Sequence, residues 1–278
     1  LITKQSRSRC SLLTPRAFFV YTGCMTWASG RRFLIVVIIG SIIVAAIALA
    51  LTALLYEAPS CMDNRQNQDE SGVDCGGGCM YVCTESQAAP IVSLQRALVQ
   101  VPGRVDVVGY VENPNADASA RGVEYDVTLY ASDRTVLKRG SVRIDIPAGV
   151  RVPVYLPGFF LGEGSGVQVF LTTDTNAIRW LRADTKPFVP KVETPKLING
   201  GDGPRITAEL LNSSSQSVNR VVAVAVVYDA SRNVIAASQT VLPVLPAFGK
   251  ALATFTWNLP FPSVPGVIDV SPVVAVPL

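Results

Sequence analysis

The stretch FLIVVIIGSIIVAAIALALTALLY, residues 33–56, runs for 24 residues without a formal charge. Fifteen of these residues are Leu, Ile, Val or Phe. As a helix the stretch would be about 36 Å long, which is enough to cross a membrane hydrocarbon core of roughly 30 Å. A helix buried inside a protein rarely needs so long an unbroken apolar run. Residues 33–56 are therefore predicted to form a single transmembrane helix.

The charges on the two sides of this stretch set its expected orientation. Six basic residues and no acidic residue precede it, whereas the first basic residue after it is Arg65. Because basic residues favour the cytoplasmic side, residues 1–32 are predicted to be cytoplasmic and the rest of the chain extracellular. Met25 is the first methionine, so residues 1–24 are expected either to form a basic cytoplasmic tail or not to be translated. A cleaved secretory signal is the alternative, but the apolar run is longer than the core of a signal peptide.

Composition excludes several classes of function. Beyond residue 32 the chain has eighteen basic and twenty-one acidic residues, so it lacks the positive charge typical of nucleic-acid binding. It has no histidine, which excludes histidine-based triads and histidine metal ligands. The glycine-rich segment 162–166, GEGSG, lacks the G-x-S-x-G pattern of a nucleophile elbow. No set of catalytic groups can be assembled from the sequence, so the protein is predicted not to be an enzyme.

Four cysteines follow the apolar stretch within 23 residues, in the segment CMDNRQNQDESGVDCGGGCMYVC at 61–83. Outside a membrane such cysteines are typical of two disulfides, for which three pairings are possible. A four-thiolate zinc site is the alternative, but both short gaps between cysteines are three residues where zinc knuckles usually have two. Residues 57–88 are therefore predicted to be a disulfide-rich spacer. The cysteines concerned are Cys61, Cys75, Cys79 and Cys83.

This segment resembles a short extracellular cysteine module with the pattern C-x-D-x-x-x-N-x-x-E-x-x-x-D-C-G-G-x-C, although the gap to Cys83 is one residue longer than usual. Its oxygen-bearing side chains have the chemistry that suits Ca²⁺, without the spacing of an EF-hand. The favoured alternative is that they cap turns in a loop too small to have a core. The candidate residues are Asp63, Asn67, Asp69, Glu70 and Asp74.

From about residue 89 the sequence consists of short alternating runs separated by Pro, Gly and Asn, which is typical of an all-β sandwich. Val123, Tyr125, Val127 and Leu129 alternate with polar or half-polar neighbours, as one strand with a core face and a solvent face requires.

An internal repeat predicts two copies of this sandwich. The segment VVGYVENP aligns with ITAELLNS, and YASDRTV aligns with YDASRNV, at offsets that stay between 98 and 100. The fold class is therefore mainly β, with two tandem β-sandwich domains at 89–185 and 186–278 behind one transmembrane helix. The aligned ranges are 107–114 with 206–213, 130–136 with 228–234, 146–148 with 245–247, and 166–167 with 266–267.

The strand that ends at Asn113, followed by the strand that ends at Leu129 and Tyr130, resembles the FxLYD and late-embryogenesis-abundant-type domains of bacterial and archaeal envelope proteins. The second copy keeps Tyr228 and Asp229 of that pattern. The resemblance implies an immunoglobulin-like architecture and a non-enzymatic role in an anchored protein.

One strand differs between the copies. Where the first copy carries the polar residues Glu124, Asp126 and Thr128, the second copy carries Val222, Val224 and Val226. Its strand is therefore apolar on both faces. An uncovered apolar face would bind a partner protein or another copy of the chain. Alternatively the first domain, a loop or the C-terminal run 273–278 covers it, or valine is present for its β-propensity alone.

These features predict a single-pass cell-surface protein that presents tandem β-sandwich domains for protein binding, adhesion or envelope scaffolding. An accessory or sensor subunit of a larger envelope complex is the alternative. The expected partners are the membrane and either an envelope protein or a second copy. Nucleic acid, a small-molecule substrate and any cofactor other than Ca²⁺ are not expected.

Overall fold

The computed structural model describes residues 27–56, 60–67, 69–101, 103–161, 167–198 and 203–276. Residues 1–58 and 59–278 form two compact units, each of which is described by itself. The predicted tail at 1–24 and the glycine-rich segment at 162–166 lie outside the described residues.

The first unit contains one helix, α1 (Trp27–Leu55), which begins six residues before the predicted start and ends one residue before the predicted end. Its segment Ala28–Leu55 is long and apolar enough to span a membrane. From Phe33 onward the helix is apolar all round, which is typical of a helix surrounded by lipid. The hydroxyls of Ser41 and Thr52 donate to the carbonyls of Ile38 and Leu49, so these two polar side chains are satisfied by the helix itself.

The second unit is made of strands, of which the described residues contain fifteen, numbered along the chain. They are β1 (Tyr81–Val82), β2 (Ile91–Val101), β3 (Arg104–Glu112), β4 (Ala118–Tyr130), β5 (Val136–Ile146), β6 (Arg151–Phe160), β7 (Gln168–Thr172), β8 (Trp180–Arg182), β9 (Lys191–Val192), β10 (Lys196–Ile198), β11 (Arg205–Leu211), β12 (Val218–Asp229), β13 (Val234–Leu245), β14 (Lys250–Thr256) and β15 (Pro265–Pro272).

Strands β1 to β8 form two antiparallel sheets, here called the first sandwich. One sheet has the order β2-β3-β6, and the other has the order β1-β8-β4-β5 with β7 also paired to β4. The predicted alternation along β4 is confirmed, since Tyr125, Val127 and Leu129 are fully buried while Glu124 and Asp126 are exposed. Side chains from both sheets meet in one hydrophobic core.

Strands β9 to β15 form the second sandwich around a core of their own. One sheet has the order β10-β11-β14 with β9 also paired to β11, and the other has the order β13-β12-β15. The aligned segments 107–114 and 206–213 begin in the central strands β3 and β11. The aligned segments 130–136 and 228–234 begin at the ends of β4 and β12. The chain is therefore mainly β, with one N-terminal apolar helix.

A buried asparagine occupies the same place in each sandwich. The Asn113 amide donates to the carbonyls of Ala118 (2.7 Å) and Pro147 (3.1 Å), and 99 residues later the Asn212 amide donates to those of Gln216 (2.7 Å) and Leu245 (3.3 Å). Both side chains are at most 3% exposed. In the first sandwich the amide joins the loop after β3 to the turn after β5. In the second it joins the loop after β11 to the end of β13.

The Tyr125 hydroxyl is buried in the first core and has no hydrogen-bond partner among the described residues. We expect Tyr125→Phe to raise the free energy of unfolding by up to about 1 kcal/mol, because it removes an unsatisfied buried hydroxyl. Chemical denaturation at neutral pH measures this difference, and a loss of stability would contradict it.

The same variant should respond differently to alkaline pH. Burial raises the pKa of Tyr125 to about 12, above the value of about 10 for an exposed tyrosine. A raised pKa in the folded state adds stability below pH 10 that is lost as the pH approaches 12. The advantage of the phenylalanine variant should therefore grow between pH 10 and pH 12.

Candidate functional site

The four cysteines of the module at 61–83 form two disulfides, Cys61–Cys79 and Cys75–Cys83. This is one of the three pairings that the sequence left open. With every sulfur paired, no thiolate is left to bind a metal, so the zinc interpretation is wrong for this structure. Among the described residues, Cys61, Glu70 and Cys79 bring their potential ligand atoms within 4.8 Å of one another, but two of these atoms are the bonded sulfurs.

Two acidic side chains of the module bind backbone amides. The Asp63 carboxylate accepts hydrogen bonds from the side-chain amide of Asn67 (2.8 Å) and from the N–H groups of Ser60 and Arg65. These bonds, the one from Asn67 foremost, hold the pKa of Asp63 below its usual value. The Asp74 carboxylate accepts from the N–H of Asp63 at 2.9 Å. This geometry supports turn capping by Asp63 and Asp74, and calcium binding stays a prediction.

Glu70 is the buried carboxylate of the module, at 9% exposure. One oxygen accepts from the backbone N–H of Asn67 at 3.2 Å, and the other lies 3.2 Å from the Cys79 sulfur. The side-chain amide oxygen (Oδ1) of Asn67 is buried without a partner in the described part of the chain. Glu70 thus closes the loop from inside, against the Cys61–Cys79 disulfide.

Two adjacent glycines of the module pack against Ser71 and Asp69, since a Cβ on Gly76 would lie 2.6 Å from the Ser71 side chain. A Cβ on Gly77 would lie 2.0 Å from the Asp69 carbonyl oxygen, and both Gly76 (φ 79°) and Gly77 (φ 50°) have left-handed backbone conformations. Only glycine combines these conformations with so close an approach. The Asp69 backbone therefore has a packing role that the sequence did not indicate.

The module is joined to the first sandwich by a strand and does not stand apart from it as a separate spacer. Strand β1 pairs with β8, with Tyr81 opposite Leu181 and Val82 opposite Trp180. The Arg182 guanidinium donates to the carbonyls of Gly77 at 2.6 Å and Cys79 at 3.3 Å. The predicted spacer therefore extends the sheet of the first sandwich.

Arg182→Ala should loosen the module while the first core stays intact. The variant leaves two module carbonyls without their donor, and we expect a loss of about 1–2 kcal/mol in local stability. Hydrogen exchange of the amides at 75–83, with those of β4 as internal reference, measures the effect. The matched control is Arg179→Ala, which removes a stacking contact 4.2 Å from the Tyr81 ring but no hydrogen bond to the module. Equal protection in all three proteins would contradict the assignment.

The apolar face of β12 is covered by the first sandwich. Val224 and Val226 are fully buried and pack in one cluster with Val108 and Tyr110 of β3. Val222 is only half-buried, and its carbonyl accepts from the N–H of Val273 at 2.8 Å. Two of the alternatives left open by the sequence, the first domain and the C-terminal run, thus cover this face together. Val224 and Val226 are not available to a separate partner.

A charged residue at the edge of this contact joins the two sandwiches. The Asp269 carboxylate accepts from the Tyr110 hydroxyl at 2.8 Å and pairs with the Arg151 guanidinium at 3.1 Å. That guanidinium also lies 4.2 Å from the centre of the Tyr110 ring. Burial, with the nearby Asp269 charge, raises the pKa of Tyr110 above its ordinary value. The hydroxyl therefore stays protonated and remains a hydrogen-bond donor.

At least three open cavities border the contact, and one of them, of about 180 Å³, is lined by Arg104, Asp106 and Trp257 among others. A second, of about 480 Å³, is lined by Arg151, Tyr228, Arg232 and Asp269 among others. Another, of about 330 Å³, is lined by residues of β2 and by residues around Trp257. Sequence reasoning missed all three, since each is formed by residues distant in the chain.

No protein-family model matches the chain, and no curated protein matches it. Among solved structures, the crystal structure of red sea bream transglutaminase matches 69% of this chain and 32% of its own, at 12% identity and a TM-score of 0.24. The chain thus spans about a third of the length of that protein. So low a score carries no argument about function.

Proposed function

We propose that the protein is a single-pass membrane-anchored surface protein whose two sandwiches are a non-enzymatic scaffold for protein contacts. The observation that carries the proposal is the order of the elements along the chain. An apolar helix long enough to span a membrane precedes a disulfide-bonded β unit. Disulfides persist in oxidising compartments, so they support an extracellular position for the β unit. The excess of basic residues before the helix supports a cytoplasmic N-terminus.

The contact between the sandwiches supports a scaffolding role. Tyr110, Arg151 and Asp269 tie the two together, and their apolar faces are buried against one another. Such a pair holds its outer surfaces in a fixed relation, which is useful for presenting a binding surface. Within the proposal, the two sandwiches are copies of one domain, and their membership of the FxLYD or late-embryogenesis-abundant type is part of the same hypothesis.

Membrane topology tests the anchored position. The full chain is expressed in its native membrane, and the membrane is treated with alkaline carbonate and, separately, with external protease. We expect the chain to stay in the carbonate pellet, and external protease to cut the β unit while residues before α1 are protected. Release by carbonate, or protection of the β unit in intact cells, would contradict the proposal.

Crosslinking tests the scaffold role in the same membranes. Light crosslinking, extraction in mild detergent and mass spectrometry should recover a reproducible protein partner or a second copy, joined through the β unit. Recovery of the chain alone, with neither a partner nor a second copy, would contradict a role in protein contacts.

A further inference from the structure

The 180 Å³ cavity described above takes its lining from both sandwiches. Arg104, Asp106 and Tyr155 belong to β3 and β6 of the first sandwich. Ser238 of β13, Thr256 of β14 and the three residues that follow β14 belong to the second. The cavity therefore exists only where the two sandwiches meet, a position at which ligand sites are common.

Asp106 is the buried carboxylate of this cavity, at 3% exposure. It accepts hydrogen bonds from the Tyr155 hydroxyl at 2.7 Å and from the Gly158 N–H at 2.8 Å, so its orientation is fixed. A carboxylate has about four acceptor positions, and these two bonds leave about half of them. Asp106 can therefore accept further hydrogen bonds from a ligand without being reoriented.

Other polar side chains of the lining are not paired within the protein. The Arg104 guanidinium approaches Asp106 only through Nε, at 3.8 Å, and donates no hydrogen bond in the described part of the chain. Among the described residues, the side chains of Ser238, Thr256 and Asn258 also make no hydrogen bond. Donors and acceptors from both sandwiches thus converge on one cavity, where a ligand with several hydroxyl groups can bind them together.

The charges of the lining favour an uncharged ligand. Of the lining residues that the structure describes, only Arg104 and Asp106 are charged, and their charges are opposite. A ligand with a net charge would lose hydration in the cavity and find no unpaired charge of opposite sign there. Hydroxyl groups can accept from the guanidinium and donate to the carboxylate, so they suit both residues.

The cavity adjoins the 330 Å³ cavity, because Trp257 and Leu259 line both. We call the two together the junction groove. The Trp257 side chain is held in place, since its ring N–H donates to the Ala237 carbonyl at 3.2 Å and the Phe261 ring packs edge-on at 5.1 Å. Leu259 is 52% exposed and adds an apolar surface to the shared wall. Two open cavities in succession suit an extended ligand of several units.

We propose that the junction groove binds a neutral oligosaccharide segment of a glycan. Sugar units carry several hydroxyl groups that both donate and accept, which matches the polar lining, and their C–H groups can pack against Val99, Val101 and Leu259. A peptide would need enclosed apolar pockets for its side chains, whereas both cavities are open. The inference goes beyond the proposed protein contacts and does not rest on them.

Calorimetric titration of the full chain tests the ligand class, in a detergent without a sugar headgroup. The neutral probes are cellohexaose, maltohexaose and chitohexaose, and the comparison probes are hexagalacturonate and an uncharged peptide of serine and asparagine. We expect at least one neutral probe to bind at millimolar concentration, and both comparison probes to bind at least about ten-fold more weakly. Failure of all three neutral probes, or equally tight binding of the acidic sugar or the peptide, would overturn the proposal.

Two variants with matched controls test the named residues. Asn258→Ala and Arg104→Gln should each weaken binding of the neutral probe about five-fold, the effect of losing one hydrogen bond. Asn219→Ala and Arg121→Gln remove the same side-chain types from exposed positions outside the groove, and should leave the affinity unchanged. Asn258 is exposed, so its variant should keep the unfolding midpoint of the wild type. Equal affinity of the Asn258 variant and the wild type would overturn the assignment.

Hydrogen exchange locates the bound probe. At saturation it should slow the exchange of amides at 101–106 and 256–259, while those of β7 serve as internal reference. Slower exchange confined to other parts of the chain, such as the lining of the 480 Å³ cavity, would overturn the proposal. Failure of these tests leaves the anchored surface position standing, because carbonate extraction and external protease decide that position separately.

Discussion

Val224→Asp should lower the free energy of unfolding by about 3–5 kcal/mol, the range expected when a charge is buried without a partner. Val224 is fully buried, and the apolar residues Val108 and Tyr110 of the first sandwich belong to the same cluster. The carboxylate must either be buried unpaired or force the two sandwiches apart. Chemical denaturation followed by tryptophan fluorescence measures the loss, since Trp180 belongs to the first core and Trp257 to the second.

The matched control for this variant is Val241→Asp. Val241 lies opposite Val222 on β13 and is 45% exposed, so a carboxylate there stays in water and should cost less than about 1 kcal/mol. If the sandwiches separate, proteolysis of the segment 183–190 between β8 and β9 should speed up only in the Val224 variant. Equal stability of the two variants would show that the apolar face of β12 is not buried as described.

The sequence predicted one side of the contact between the two sandwiches, the apolar face of β12. The valines of β12 predicted an apolar strand on both faces and hence a cover, but not which segment supplies it. Strand β3 carries the complementary signal, because its residues 105–111 are all buried and read as a nearly continuous apolar run. Two strands that are apolar on both faces each need a cover. That β3 and β12 cover one another depends on tertiary packing, which no local sequence pattern specifies.

The left-handed backbone conformation of Phe248, with a φ of 49°, was hidden for a different reason. The sequence alignment of the two sandwiches places Phe248 opposite Gly149, yet a phenylalanine does not itself indicate a left-handed conformation. The conformation follows from the hydrogen bonds to Ser214 and Pro246, which belong to the folded hairpin. The sequence shows a phenylalanine where the aligned position has glycine, but it does not show the left-handed backbone conformation of that residue.

The cysteine spacing predicted disulfides but could not select their pairing. Three pairings satisfy the same chain lengths, and the choice depends on how closely the backbone can pack inside the module. The contact of the Asp69 carbonyl with Gly77 brings the glycine segment against the first half of the loop. The pairing thus depends on tertiary contacts, whereas the turn-capping role of Asp63 and Asp74 could be expected from residue type alone.

Removal of the Cys61–Cys79 disulfide should unfold the module while both sandwich cores remain. The bonded residues are 18 apart, against 8 for Cys75–Cys83, so loop-closure entropy predicts losses of about 3 and about 2.5 kcal/mol respectively. The module has few buried apolar side chains of its own to offset either loss. We therefore expect the double variant Cys61→Ser with Cys79→Ser to become sensitive to protease within 61–83.

The second disulfide supplies the matched control. The control replaces both Cys75 and Cys83 with serine and keeps Cys61 and Cys79. Replacing both leaves no free thiol in the module that could rearrange the remaining bond. This pair of changes should increase protease sensitivity less, since it opens the shorter loop. Non-reducing peptide mapping of the wild type must show the 61–79 and 75–83 links. A different pairing would contradict the assigned links. Full protease resistance after either removal would mean that contacts such as those of Arg182, and not the disulfides, hold the module together.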